Sequence, residues 1–196
     1  MKRTFKAVVV GVSSGGLEAL KIFVPGLRKD LAVPVLIVQH LSPQADSYLP
    51  ARLDEVSGLT VKEAEDKELL QAGVAYVAPP DYHLLVEADE SLTLSVDPKV
   101  NFSRPSVDVL FETASDAFGA ALIGVILTGA NQDGAKGLAR IKRRGGVAIV
   151  QSPESAQADV MPRAALESTN VDHVLPLRDI APFLNNLIGP SHDNTT

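Results

Sequence analysis

The stretch Ala7-Val8-Val9-Val10-Gly11-Val12-Ser13-Ser14-Gly15-Gly16 decides the fold. Its apolar, β-branched first half predicts a fully buried strand, and the glycines that follow predict a tight turn from strand to helix. Gly11 to Gly15 fit the G-x-S-x-G spacing of a nucleophile elbow, which holds its central hydroxyl at the edge of a sheet. Ser13 is therefore a candidate nucleophile, although a lone serine at a helix start more often caps free backbone N–H groups.

Outward from this stretch, strand-like apolar runs alternate with helical patterns, and this alternation predicts βαβ units around a parallel sheet. We expect an α/β, doubly wound fold with a mainly parallel sheet and helices on both faces. Short runs between turns predict an antiparallel hairpin excursion at about residues 60–97, which would leave the sheet mixed at one edge. The predicted strands cover residues 8–10, 33–39, 122–127 and 147–150, and the predicted helices residues 17–27, 45–56, 105–118, 134–144 and 162–167.

The composition limits the classes of protein that this chain can belong to. With 196 residues and 45% hydrophobic content, we expect one domain over residues 1–188 and a polar, disordered tail over residues 189–196. The absence of cysteine excludes disulfides, thiolate catalysis and cysteine-bound zinc. The net charge of -6 argues against nucleic acid as a partner. No run approaches the roughly 18 apolar residues of a membrane span, so we expect a cytoplasmic protein without membrane insertion.

Three side chains follow predicted parallel strands, where ligands bind in open α/β sheets. Strand one ends at Ser13, strand two at His40, and the strand before Thr128 leads on to Asp133. A serine attacks a carbonyl efficiently only when an imidazole takes its proton and a carboxylate orients that imidazole. Each residue alone is more often structural, but the three together favour a catalytic triad.

Other candidate sites are less favoured by the sequence. His83 is the rival base, ranked second because it begins an alternating strand rather than ending a parallel one. His173 is expected to be structural and His192 to lie in the tail. The histidines have no metal-ligand spacing, so we expect no metal and no cofactor. The glycine turn also permits phosphate binding, but its spacing does not fit G-x-G-x-x-G, and Leu17-Glu18 stand where a P-loop needs lysine and a hydroxyl residue.

Six motifs between about Phe5 and about Leu187 are specific in combination. They are Gly11-Val12-Ser13-Ser14-Gly15-Gly16, Val38-Gln39-His40-Leu41, Ala78-Pro79-Pro80-Asp81-Tyr82-His83, Arg104-Pro105-Ser106-Val107-Asp108-Val109-Leu110-Phe111, Leu127-Thr128-Gly129 with Asp133-Gly134-Ala135-Lys136-Gly137, and Met161-Pro162-Arg163-Ala164-Ala165. With this set the chain resembles the catalytic domain of the CheB-type chemotaxis protein-glutamate methylesterases.

The resemblance implies an activity and assigns a role to each residue of the triad. Ser13 corresponds to the family's nucleophile, His40 to its base and Asp133 to the carboxylate that orients the base. The family hydrolyses glutamate γ-methyl esters on chemoreceptor cytoplasmic helices and releases methanol through an acyl-enzyme, often with deamidation of glutamines at the same sites. The order Ser, His, Asp along the chain differs from the Ser, Asp, His order of ordinary α/β-hydrolases.

The resemblance leaves several points open. Backbone N–H groups near Ser14, His40 or Ala130 are candidates for the oxyanion hole, and His83 is kept as a residue that could line the site. Many family members carry methionine where this chain has Ala130, so the side chain that borders the site at this position is smaller here. The alternatives are a non-catalytic binding module of the same fold and a serine esterase for another carboxyl ester.

The expected partners are the cytoplasmic helices of methyl-accepting chemoreceptors. Family members usually carry an N-terminal phosphorylatable receiver domain, whereas here the catalytic region begins within a few residues of Met1. The sequence is therefore either a stand-alone protein or an excised catalytic part. In the first case, a regulatory receiver domain would have to act from another chain, or phosphorylation would play no part.

Overall fold

Strands and helices alternate along the chain in the computed structural model, which describes residues 4–40 and 48–190. Within these residues the strands are β1 (Ala7–Val12), β2 (Val35–Gln39), β3 (Thr60–Glu63), β4 (Val74–Val77), β5 (His83–Val86), β6 (Leu92–Ser95), β7 (Leu122–Ile126), β8 (Val147–Gln151) and β9 (His173–Leu175). The helices are α1 (Gly16–Gly26), α2 (Leu49–Asp54), α3 (Val107–Phe118), α4 (Ala135–Arg143), α5 (Val160–Ser168) and α6 (Leu177–Ile188).

Seven of these strands form one sheet in the order β3-β4-β2-β1-β7-β8-β9, and every pairing between them is parallel. Both faces are covered by helices, which explains why β1 is apolar at every position. Val8 and Val10 pack into a core with Phe23 of α1, whereas Val9 packs into a second core with Phe111 of α3. Helices α1, α2 and α6 contribute to the first core, and α3, α4 and α5 to the second. The predicted doubly wound α/β class is therefore confirmed.

The antiparallel hairpin is present, but it lies apart from the main sheet. Strands β5 and β6 pair only with each other, while β3 and β4 extend the parallel sheet. The expectation of a sheet that is mixed at one edge is thus wrong. Pro79 and Pro80 separate β4 from β5, and since proline has no N–H to donate to a strand ladder, the chain leaves the sheet at this point.

Two further elements differ from the predictions. The helix expected over residues 45–56 is observed as α2, and the start of the expected range lies outside the described residues. Helix α6 was not predicted, and it packs against α1 through Ile180 and Leu184 although Pro182 lies inside it. Of the predicted disordered tail, residues 191–196 lie outside the described part of the chain. No helix among the described residues has the length and apolarity needed to cross a membrane.

The topology brings three connections to one edge of the sheet. Strand β1 lies between β2 and β7, and the loops that follow all three strands emerge at their carboxyl ends. The chain winds in one direction from β1 to β2 and in the other from β7 to β8, so the carboxyl end of β1 is a topological switch point. The predicted site residues follow these three strands.

Candidate active site

Ser13 lies in the turn that joins β1 to α1. Its N–H donates to the Thr128 carbonyl at 2.9 Å, and its carbonyl accepts the N–H of Gly16 at 2.8 Å. Gly15 has a left-handed backbone with φ of 78°, which glycine adopts at little cost. The Thr128 hydroxyl also donates to the Ser14 carbonyl at 2.8 Å. Thr128, just beyond β7, thus holds the turn through both its carbonyl and its hydroxyl. Ser13 is half-buried in this turn and Ser14 is exposed.

His40 follows β2 and is held next to the serine turn by main-chain contacts. Its N–H donates to the Val12 carbonyl at 3.1 Å. The buried Gln39 side chain donates from Nε2 to the carbonyls of Ser13, at 3.0 Å, and His40, at 2.9 Å. One amide therefore clamps the ends of β1 and β2 together, and this clamp fixes the spacing between the candidate nucleophile and the candidate base.

Asp133 lies in the loop before α4, and its side chain is fully buried. Its Oδ1 accepts hydrogen bonds from the Asn101 amide at 2.8 Å, the Ser106 hydroxyl at 2.9 Å and the Asp108 N–H at 3.2 Å. Its Oδ2 accepts hydrogen bonds from His40 Nε2 at 2.8 Å and from the Val107 N–H at 2.6 Å. The two N–H donors belong to the first turn of α3, where a carboxylate is stabilised by the helix dipole.

These contacts set the charge of the carboxylate. Burial raises the pKa of the Asp133 carboxyl, but the hydrogen bonds from His40, Asn101 and Val107 outweigh it, so this pKa lies below its usual range. Asp108 behaves in the opposite way, because burial, reinforced by the neighbouring charge of Asp133, raises its pKa above the usual range. Asp133 is therefore the carboxylate of this pair that stays ionised most readily.

The structure joins two of the three predicted triad residues directly. His40 Nε2 bonds to Asp133, and His40 Nδ1 lies 3.2 Å from the amide nitrogen of Asn131. Since a carboxylate only accepts hydrogen bonds, the neutral ring carries its proton on Nε2, and its lone pair on Nδ1 is the basic position. Among the described residues, the Ser13 hydroxyl makes no hydrogen bond to this ring. Proton transfer from Ser13 requires its hydroxyl to reach Nδ1.

The other predicted residues have different surroundings. His83 is 1% exposed, its Nδ1 accepts the Ser106 N–H at 3.2 Å, and its Nε2 lies 3.2 Å from the Pro98 carbonyl. Its ring thus accepts the N–H of Ser106, the residue whose hydroxyl donates to Asp133. Three N–H groups are candidates for the oxyanion hole. The His40 N–H already donates to the Val12 carbonyl. The N–H groups of Ser14 and Ala130 donate to no described residue.

Sequence reasoning missed four polar residues of this site. Ser106 and Asp108 belong to the R-P-S-V-D motif, which identified the family resemblance but gave no hint of a contact with Asp133. Asn101 and Asn131 lie in loops, and Asn101 has a left-handed backbone with φ of 50°. Loop asparagines without a periodic pattern give no sequence signal for a distant contact.

A shallow cavity of about 310 Å³ adjoins the site. It is lined by Asn101, Phe102, Asn131, Gln132 and Val160, and Phe102 is 98% exposed. Among residues 4–40 and 48–190, no three His, Cys, Asp or Glu side chains are grouped so that they could hold a metal ion. The arrangement of a serine, an imidazole and a buried carboxylate suits acyl transfer.

Comparisons with known proteins identify the family to which this chain is related. The sequence profile of the CheB methylesterase family matches residues 8–184. A protein of Leptospira interrogans named "Putative protein-glutamate methylesterase/protein-glutamine glutaminase" is 50% identical over 183 residues, covering 93% of this chain and 95% of that protein. A Pyrococcus horikoshii protein named protein-glutamate methylesterase/protein-glutamine glutaminase is 40% identical over 177 residues, covering 89% of this chain and 48% of that protein. The chain thus spans about half the length of this second relative.

The fold of a solved structure matches as well. The crystal structure of the Thermotoga maritima CheB methylesterase catalytic domain superposes with a TM-score of 0.90 at 38% identity, covering 94% of this chain and 99% of that one. A sequence profile that matches nearly the whole chain and a fold match at this identity lead to the same conclusion: this chain belongs to the CheB methylesterase family.

Proposed function

We propose that this chain is a serine hydrolase that cleaves glutamate γ-methyl esters on the cytoplasmic helices of chemoreceptors and releases methanol. The observation that carries the proposal is the Asp133 carboxylate, which accepts five hydrogen bonds, one of them from His40 at the sheet edge beside the serine turn. A structural aspartate needs no imidazole among its donors. The names of the relatives in two organisms support the choice of ester.

In the proposed reaction, His40 Nδ1 takes the Ser13 proton while the serine oxygen attacks the γ-carbonyl of the methylated glutamate. Asp133 stabilises the imidazolium that forms, and His40 then gives the proton to the departing methoxide. Methanol leaves, and the receptor glutamate is joined to Ser13 as an ester. Water activated by His40 hydrolyses this ester and releases the free glutamate.

The oxyanion of each tetrahedral intermediate needs donors that are free in the resting protein. We propose the N–H groups of Ser14 and Ala130 for this role. Ser14 follows the nucleophile directly, and Ala130 lies in the loop whose Gly129 approaches Ser13, since a Cβ built on Gly129 would lie 3.0 Å from the Ser13 Cβ. The close approach of the two loops supports this assignment.

A second activity, deamidation of receptor glutamines, is favoured by the double name of the same relatives. The acyl-enzyme would be the same, with ammonia leaving in place of methanol. We also propose that the chain acts in the cytoplasm, where these receptor helices lie. A receiver domain in another chain remains our proposal for its control.

The test is to incubate the purified chain with a chemoreceptor cytoplasmic fragment that carries labelled methyl groups, and in parallel with a panel of small acyl esters. The proposal predicts methanol release from the receptor fragment at a rate well above that from the small esters. Turnover of the small esters without methanol release would support an esterase of different substrate class. Binding of the fragment without turnover of any ester would support the non-catalytic module.

A further inference from the structure

The loop between β7 and α4 places Asn131 against the basic nitrogen of His40. Its Nδ2 lies 3.2 Å from His40 Nδ1, and its Oδ1 accepts the Asp133 N–H at 3.1 Å. The bond to Asp133 fixes which end of the amide faces the ring, because rotation of the amide would turn its NH2 group against the Asp133 N–H. The amide therefore presents a donor, and not an acceptor, to the imidazole.

This contact acts on the same ring as Asp133 but from the opposite side. An amide NH2 group only donates, so its partner Nδ1 has to be the unprotonated nitrogen. Asp133 only accepts, so its partner Nε2 has to carry the proton. Both contacts select one tautomer, in which the lone pair that receives the Ser13 proton is on Nδ1.

The contact also bears on the direction of proton transfer. Once Nδ1 has taken a proton from Ser13, that proton faces the amide hydrogens of Asn131, and two donors then oppose each other. The Asn131 amide nitrogen offers no acceptor to that proton, so the departing group receives it without competition from this side chain. In the resting site the same amide donates to the lone pair on Nδ1.

We infer that Asn131 is a positioning residue that holds His40 in its proton-accepting tautomer and disfavours the protonated ring. Asn131 contacts the base and not the reacting ester. The inference rests on the proposed function for its catalytic consequence, but the state of the ring can be measured without substrate. The titratable group bonded to the ring is Asp133, and Asp108 on α3 is linked to Asp133 through the Asn101 amide.

Two substitutions separate this role from a merely structural one. Asn131→Asp has the same shape and keeps an oxygen for the Asp133 N–H, but it presents an acceptor to His40 Nδ1. Asn131→Ala removes both contacts. If Asn131 only shaped the loop, the alanine variant would be the more disturbed of the two.

The measurement is an NMR pH titration of the imidazole nitrogens in the isotope-labelled free chain, with the His40 signals assigned from a His40→Gln variant. In the wild-type chain we expect the neutral ring to carry its proton on Nε2. The pH midpoint of ring protonation should rise in the order wild type, Asn131→Ala, Asn131→Asp, with a shift of about one pH unit or more in the aspartate variant. The acid limb of kcat/KM for methanol release should move in the same order.

Equal midpoints in all three proteins, or a larger shift in Asn131→Ala than in Asn131→Asp, would overturn the inference. The predicted order of midpoints in a chain that releases no methanol from the receptor would uphold the role of Asn131 and contradict the proposed function. The two claims therefore fail separately.

Discussion

Replacement of Asp133 by asparagine changes one carboxylate oxygen into an NH2 group at a position that faces only donors. Oδ1 accepts three hydrogen bonds and Oδ2 accepts two, so we expect the amide oxygen to keep the place of Oδ1. The NH2 group then takes the place of Oδ2, facing His40 Nε2 and the Val107 N–H, whose nitrogen lies 2.6 Å away in the wild-type site.

Two effects of different size follow. The Val107 N–H cannot turn away because it belongs to helix α3, and leaving it without an acceptor costs about 1–3 kcal/mol of stability. His40 Nε2 has to become an acceptor, so the ring proton moves to Nδ1 and the lone pair needed by Ser13 is lost. In a Ser-His-Asp triad such a change of tautomer lowers kcat by about 10⁴-fold, which corresponds to about 5 kcal/mol of transition-state stabilisation.

Both effects can be measured on Asp133→Asn with Asp116→Asn as the matched control. Asp116 pairs with Arg140 and Arg144 on the surface, so its loss should cost about 1 kcal/mol or less and leave kcat unchanged. Urea unfolding gives the stability, and methanol release from the methylated receptor fragment gives kcat. An Asp133→Asn chain that keeps kcat within tenfold of the wild-type value, or that unfolds at the same urea concentration as Asp116→Asn, would contradict the prediction.

Three further changes test other parts of the account. The pKa of Asp133 is lowered in the folded chain, although burial alone would raise it. Its ionised form therefore stabilises the fold at pH values above the usual aspartate pKa, and this stabilisation is lost as the pH falls through the pKa of the folded state. The stability difference between wild type and Asp133→Asn in urea should therefore shrink on acidification, and a constant difference would count against it. Phe111→Ala removes a fully buried ring with which α3 packs into the second core, so the free energy of unfolding in urea should fall by about 3–5 kcal/mol. A decrease below about 1 kcal/mol would contradict this packing. In Gly129→Ala the new methyl group would lie 2.0 Å from the Met161 sulfur and 3.0 Å from the Ser13 Cβ, so kcat should fall by about tenfold or more. The double variant Gly129→Ala, Met161→Ala should recover part of the lost kcat, because the smaller side chain makes room for the new methyl group. If the effects of the two substitutions on kcat simply add, the two residues do not share a contact.

The sequence predicts the central part of this fold because the signals there are local. The uninterrupted apolar run of β1 indicates a strand covered on both faces, and Val8 and Val9 do pack into separate cores. Ser13 and His40 directly follow strands that are easily identified, so their placement at one edge needs only the rule that parallel strands share a carboxyl edge. Asp133 could be added because its loop follows a third such strand.

The remaining contacts depend on how distant loops meet, which a single sequence does not specify. Asn101 and Asn131 approach the Asp133-His40 pair from different loops, and neither loop has a periodic pattern. The separation of the hairpin from the main sheet also depends on tertiary packing, since β5 packs against α3 rather than against β4. Helix α6 was missed because Pro182 interrupts an otherwise short apolar pattern.

The central claim is that Ser13 is the nucleophile of an ester hydrolase, and the most direct test compares Ser13→Ala with the wild-type chain in the methanol-release assay. Ser57→Ala is the matched control, because Ser57 precedes β3 and therefore lies at the opposite edge of the sheet, where its hydroxyl accepts the Leu59 N–H. We predict that Ser13→Ala folds normally and loses about 10⁴- to 10⁶-fold in kcat, while Ser57→Ala keeps wild-type turnover. A Ser13→Ala chain that folds normally and releases methanol within tenfold of the wild-type rate would contradict this prediction.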